Sequence, residues 1–229
     1  MKFNKIFNYF SKGEWFLYLT SVLTIFISFF AFKSSDYITL IASLIGVTSL
    51  IFNAKGNPLG QVLMVIFSLL YGIISFGFSY YGEMITYLGM TMPMAVLSLI
   101  SWLKHPYKHN KSQVEISSIN LRDTLFMLLL TLIVTVIFYF ILYYYKTANL
   151  FFSTLSVATS FIAVFLTFKR SPFFNLAYAC NDIVLIVLWL LASISDRSYF
   201  SVVVCFIVFL INDTYGFMSW LKMKKIQQQ

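Results

Sequence analysis

Ser101-Trp102-Leu103-Lys104 recurs as Ser219-Trp220-Leu221-Lys222, and each tetrad stands twenty residues beyond a tyrosine, Tyr81 or Tyr199. Upstream, Lys55-Gly56-Asn57-Pro58 recurs as Lys169-Arg170-Ser171-Pro172. The offset is 114 residues at the prolines and 118 at the tryptophans, so the second copy carries a slightly longer loop. A duplicated unit of wholly apolar helices implies a transporter architecture, in which two half-structures move around a site at their interface.

Composition fixes the solvent. Of 229 residues 60% are hydrophobic, 20% aromatic and only 10% charged, with a mean hydropathy of +0.84. A soluble domain carries about a quarter charged residues, so this chain is expected in lipid. The net charge of +8 sits in short segments between apolar runs, where membrane topology accounts for it, and no nucleic-acid partner is expected. Cys180 and Cys205 lie within apolar runs and suggest small core residues rather than a disulfide framework. No small-residue cleavage pattern follows the first apolar run, so no signal peptide is expected.

Segments of about 20 apolar residues read as membrane spans. Eight are predicted: Trp15 to Phe32, Tyr37 to Ala54, Leu59 to Ser79, Gly82 to Leu103, Thr124 to Tyr145, Leu150 to Phe168, Phe173 to Ile194 and Tyr199 to Leu221. An amino terminus in the cytoplasm places Lys2, Lys5, Lys12, Lys55, Lys104, Lys108, Lys111, Arg122, Lys169, Arg170, Lys222, Lys224 and Lys225 inside. Only Lys33, Lys146 and Arg197 fall outside, beside Asp36, Glu83 and Asp196. That bias puts both termini in the cytoplasm. Four crossings separate the copies, so the two run parallel and span five inverts the chain between them. The fold predicted is all-α and integral to the membrane: eight transmembrane helices, a parallel 3+1+3 core as in the sugar-efflux SWEET proteins, and one accessory N-terminal helix. The segments are 1–36 (terminus and accessory helix), 37–104 (first three-helix repeat), 105–123 (cytoplasmic loop), 124–146 (inverter), 147–222 (second repeat) and 223–229 (tail).

Ionisable residues at mid-bilayer are costly and need a reason. Counting helical rise from Arg170 and Lys222, Asp182 lies about 18 Å deep and Asp213 about 14 Å, near the middle of a core about 30 Å thick. Helical spacing puts Tyr178, Asn181, Asp182, Leu185 and Trp189 on one face of span seven. The same spacing puts Cys205, Val208, Asn212, Tyr215 and Ser219 on one face of span eight. This inventory suits a planar ring stacked on aromatics, with amides and hydroxyls at its edge. The alternative reading is that the Asn and Asp pairs only bond helices together. The first copy has Phe67, Ser68, Met94 and Ala95 at the equivalent places, so the site is expected to be lopsided, with Tyr71, Tyr87 and apolar wall from the first half.

Gln61 and Asn53 stand near the cytoplasmic helix ends, where capping is the expected role and lining a route inward the alternative. Gly89 and Pro93 predict a kink in span four, because proline leaves a carbonyl without its donor. Trp102 and Trp220, beside Lys104 and Lys222, read as interfacial anchors. His105 and His109 have no ligand-spaced partner, so neither a metal nor a cofactor is expected. No phosphate-binding glycine loop, zinc motif or nucleophile-and-base arrangement appears, which argues against ATP hydrolysis and against an enzyme.

Leu70-Tyr71-Gly72, then Tyr81-Gly82-Glu83-Met84, then Pro93-Met94 ahead of Trp102, resemble the PnuC family of vitamin transporters. The second half is similar too, with Asn181 in span seven and an Asn-x-x-Tyr pattern at Asn212 to Tyr215. The resemblance implies facilitated diffusion of nicotinamide riboside across the plasma membrane, trapping by a cytoplasmic kinase, a homotrimer, and Asn181, Asn212 and Tyr215 as binding residues. The chain departs from that family where a Trp-x-x-Trp pair is expected, having Phe174 and Ala177. It also has Ala95 for a glutamine after Pro-Met and Phe67 for an asparagine before Tyr71. Those departures leave a deoxynucleoside or thiamine open as substrate. The buried acids leave proton coupling open, and a non-transporting scaffold or sensor is the reading from another class.

Overall fold

The computed structural model describes residues 9–32, 37–77, 80–108 and 110–229. Lys2, Lys5, Lys33, Asp36, Ser79 and His109 lie outside the described residues. Among those described, eight helices are long and apolar enough to cross a membrane. They are α1 (Lys12–Ala31), α2 (Tyr37–Ala54), α3 (Leu59–Gly77), α4 (Tyr81–Lys104), α5 (Leu121–Tyr144), α6 (Leu150–Phe168), α7 (Phe174–Ser193) and α8 (Phe200–Gln227). Eight stretches with this length and hydropathy are what the sequence predicts. A two-stranded hairpin, β1 (Pro106–Tyr107) and β2 (Asn110–Val114), follows α4.

Six of these helices close a ring. α2 packs on α3, α3 on α4, α4 on α6, α6 on α7, α7 on α8, and α8 back on α2. α1 lies outside against α2 and α8, and α5 outside against α6 and the start of α4. Burial agrees: 17% of the most apolar stretch of α5 and 28% of that of α1 is buried, against 61% for α2. The large side chains left exposed on α5 beyond Arg122 are Leu, Ile, Val, Phe and Tyr, as expected of a helix whose solvent is hydrocarbon.

Helix ends follow local chemistry. Ser11 and Glu14 form a reciprocal capping box at the start of α1, satisfying donors that a helix start leaves free. α2 and α6 end alike: Gly56 (φ 65°) and Arg170 (φ 56°) both adopt the left-handed conformation. The amide of each reaches back to Asn53 and Thr167, and the following amides to Phe52 and Leu166, a Schellman-type stop. Glycine fits that conformation without a Cβ penalty; Arg170 bears one.

Several sequence expectations are corrected. Glu83, expected at the outer start of span four beside Lys33, Lys146 and Arg197, is buried there. Trp102 and Trp220 are wholly buried rather than anchored at an interface, because each has a partner carbonyl to reach inside the bundle. α8 runs past Leu221 to Gln227, held by Gln227 accepting from the Ile116 amide (2.7 Å) and donating to the Val114 carbonyl (3.0 Å). The predicted kink takes the form of a π-helical turn, Tyr87–Thr91, directly before Pro93; the wider turn accommodates the carbonyl that proline cannot serve.

Candidate functional site

A cavity of about 30 Å³ lies inside the ring, lined by Gly46, Leu50, Met64, Phe67, Tyr87, Thr91, Ser160, Tyr178, Asn181, Asp182, Phe206, Phe209 and Asp213. Gly46 and Ser160, Met64 and Tyr178, and Phe67 and Asn181 are pairs 114 residues apart; Thr91 and Phe209 are 118 apart. Equivalent positions of the two halves therefore meet around one space. Their chemistry differs. The first half contributes Gly46, Met64 and Phe67 where the second contributes Ser160, Tyr178 and Asn181.

The polar wall is held in place by its neighbours. Thr159 and Ser160 on α6 donate to Asn181 Oδ1 at 2.8 and 3.0 Å, which fixes the carboxamide and leaves its NH₂ as the end not used by α6. Asp182 and Asp213 are buried, and their carboxyl groups meet between α7 and α8. Asp182 Oδ2 has no hydrogen-bond partner among the described residues. A buried carboxylate oxygen without a donor is expensive, and a ligand bringing a positive charge or an N–H or O–H would relieve it.

The cavity holds about two waters at this volume, whereas a site for a nucleoside-sized ligand is about 300 Å³ or more. Phe67, Phe206 and Phe209 fill the difference: Phe67 and Phe209 stand 5.7 Å apart edge to face, as do Phe206 and Phe209. Gly46 permits this filling, since a Cβ there would fall 2.4 Å from Phe209 Cζ.

Of the eight sequence-predicted site residues, Tyr178, Asn181, Asp182 and Asp213 line the cavity. Tyr71 and Trp189 sit beside it in a buried aromatic cluster, with Tyr71 4.3 Å from Tyr87 and 6.2 Å from Trp189. Asn212 and Tyr215 turn the other way. Asn212 Nδ2 donates to Ser21 Oγ on α1 at 2.9 Å, and Tyr215 OH donates to Glu14 Oε1 at 3.0 Å. Adjacent helix positions point about 100° apart, so Asn212 and Asp213 serve different faces of α8, the first against α1 and the second toward the cavity. Two members of the face predicted for span eight, Asn212 and Tyr215, thus meet α1, while Ser219 bonds to Ala54 O on α2.

Sequence reasoning missed Gly46, Leu50, Met64, Thr91, Ser160, Phe206 and Phe209. Applying the 114-residue offset to Tyr178, as to Asn181 for Phe67, would have found Met64. It also missed Glu14, which bonds to Tyr215 and pairs with Lys55 Nζ at 3.2 Å; the capping spacing from Ser11 was its signal. Asn53 and Gln61 bond to each other, Gln61 Nε2 donating to Asn53 Oδ1 at 2.8 Å.

At the lysine-rich end the two halves grip one another. Ser101 Oγ donates to Phe168 O (2.9 Å) and Trp102 Nε1 to Thr167 O (3.0 Å). Ser219 Oγ donates to Ala54 O (2.8 Å) and Trp220 Nε1 to Asn53 O (2.7 Å). Each Ser-Trp pair thereby clasps the end of the other half's first helix, and the two indoles meet at 5.4 Å. Phe174 packs edge-on against Trp220 at 4.7 Å, so it belongs to this seam and not to the cavity.

The family, the relative and the solved structure that this chain matches are described as transporters. The family model described as nicotinamide mononucleotide transporter matches residues 36–222. The nicotinamide riboside transporter PnuC of Neisseria mucosa is 22% identical over 200 residues, spanning 86% of this chain and 76% of that protein. The crystal structure of the vitamin B3 transporter PnuC superposes with a TM-score of 0.82 at 21% identity, covering 95% of this chain and 94% of that one. With its eight spans, buried polar cavity and match across most of its length, the chain belongs to the nicotinamide mononucleotide transporter family and is a multi-pass membrane transporter, not an enzyme.

Proposed function

We propose that this protein imports nicotinamide riboside across the plasma membrane by facilitated diffusion, its two halves alternating access to the cavity between them. The observation that carries this reading is the set of Tyr178, Asn181, Asp182 and Asp213 on one wall of a cavity that both halves line. The carboxylates suit a cationic pyridinium, Tyr178 a planar ring, and Asn181 a ribose or carboxamide edge. The lysine-rich end, with Lys12, Lys55, Lys104, Lys169, Lys222 and Lys224, is cytoplasmic on this reading. The parallel 3+1+3 arrangement has support from the pairing of equivalent positions around the cavity and from α5 lying outside the ring. Trapping by a cytoplasmic kinase and assembly as a homotrimer rest on the family resemblance.

A related cation, thiamine, or a deoxynucleoside is the second reading. It is favoured by Phe67, which lines the cavity at a place where the family resemblance leads one to expect an asparagine. Uptake of labelled nicotinamide riboside, thiamine and deoxynucleosides into proteoliposomes separates the two. Saturable equilibration of nicotinamide riboside is expected, and uptake of another of these substrates without it would overturn the proposal. Accumulation beyond equilibrium that depends on a pH gradient would replace facilitated diffusion by proton coupling.

A further inference from the structure

Glu83 is 1% exposed, yet the only hydrogen bond to its carboxyl group among the described residues is from Ser156 Oγ to Oε1 at 3.4 Å, and Oε2 has no partner. The ion pairs among those residues are Lys55 with Glu14 and Lys169 with Asp123, so no described lysine or arginine pairs with it. A carboxylate kept dry without a counter-charge is a functional feature before it is a structural one. Its surroundings are aromatic. Tyr80 caps the same helix start, three residues ahead of it.

Tyr80, at the N-cap of the helix that carries Glu83, packs ring against ring with Trp189 and Tyr199 as a closed three-walled box, with ring centroids 5.1 Å (Tyr80 to Trp189), 5.6 Å (Trp189 to Tyr199) and 6.3 Å (Tyr80 to Tyr199) apart. Trp189 is the buried floor, while Tyr80 and Tyr199 are partly exposed at the end opposite the lysines. Ring contacts continue inward from Trp189 to Tyr71 (6.2 Å) and from Tyr71 to Tyr87 (4.3 Å), and Tyr87 lines the cavity. Aromatic faces beside a carboxylate are the chemistry that holds organic cations.

We propose that Glu83 and the Tyr80–Trp189–Tyr199 box form an outer binding site for an organic cation with a delocalised ring, occupied before the substrate reaches the central cavity. The inference rests on the transport reading above and extends it to a second site. Glu83 supplies the charge that draws the ring out of water, the box supplies its faces, and Tyr71 and Tyr87 carry it past Glu83 toward Asp182.

The test uses the full-length protein in proteoliposomes and compares initial rates of nicotinamide riboside uptake for wild type, Glu83→Gln, Tyr80→Ala and Tyr80→Phe. Both Glu83→Gln and Tyr80→Ala are expected to raise the half-saturating concentration by roughly tenfold, the size of a lost charged or cation–π contact, at a maximal rate within about twofold of wild type. Tyr80→Phe, which keeps the ring, should restore the wild-type value. Half-saturation unchanged in both variants, or a fall in maximal rate alone, overturns the outer site. Should Glu83→Gln fail to fold, the partly exposed Tyr80 pair decides by the same criteria. Wild-type uptake reports separately on the transport reading, and if it is absent, loss in Tyr80→Ala of the thermal stabilisation given by N-methylnicotinamide tests the outer site directly. Equal stabilisation of the two proteins would then reject it.

Discussion

The two halves of the ring are alike where they grip each other and unlike where they face the cavity. At the lysine-rich end the match extends to atoms: Ser101 and Trp102 bond to Phe168 and Thr167 as Ser219 and Trp220 bond to Ala54 and Asn53. At the cavity the same symmetry sets Met64 against Tyr178 and Phe67 against Asn181. Duplication supplied a shared frame, and the polar chemistry was concentrated on one side of it. A symmetric frame tolerates an asymmetric lining because the lining side chains meet each other and the cavity, whereas the seam residues must meet the opposite copy.

The comparison breaks most readily at the cavity. Asn181→Leu and Asp213→Leu should each lower uptake by about a hundredfold or more, since a site built to hydrogen-bond its substrate loses several kcal/mol when a buried partner is removed. Met64→Leu, at the counterpart of Tyr178, should change uptake by no more than a few-fold. Initial rates in proteoliposomes decide it, and comparable losses from both halves would end the claim of asymmetry.

A smaller effect tests the filling of the cavity. Gly46→Ala drives a methyl against Phe209, and overpacking of this kind costs about 1–3 kcal/mol; a lower melting temperature and slower uptake are expected together. Its counterpart Ser160→Ala removes a donor to Asn181 and should cost about 1 kcal/mol. A melting temperature for Gly46→Ala equal to wild type would show that Phe209 moves aside freely.

The smallest effect sharpens the symmetric side of the comparison. Ser101→Ala and Ser219→Ala each delete one clasp bond, the former also losing the long Arg170 Nη1 donation to Ser101 Oγ (3.3 Å), and should destabilise the fold by about 1 kcal/mol apiece, by similar amounts in thermal unfolding. A difference between them of about 1 kcal/mol or more would mean that the two clasps are not equivalent.

Much of the frame was legible because its signals are long. Eight apolar runs of helical length leave few alternatives in lipid, and the duplicated tetrads mark where the halves correspond. Sites were legible in part: Tyr178, Asn181, Asp182 and Asp213 reach the cavity, while Asn212 and Tyr215 do not. The failure is rotational. Hydropathy shows that α8 is buried but not that α1 buries one of its faces, so neighbours in sequence were assigned one role. Trp102 and Trp220 were misread because a tryptophan beside a lysine at a span's end looks the same whether it meets lipid headgroups or another helix end. The burial of Glu83 is not legible because an acid at the outer start of a span looks the same whether it meets water or another helix, and only packing against α6 reveals it.

The clasps have one more consequence. All four of their acceptors are main-chain carbonyls, groups that any non-mutant or mutant residue at 53, 54, 167 or 168 still presents. Drift at those positions leaves the latch its keepers, so selection for a different cargo can rewrite the chamber while the bolt that shuts it stays unchanged.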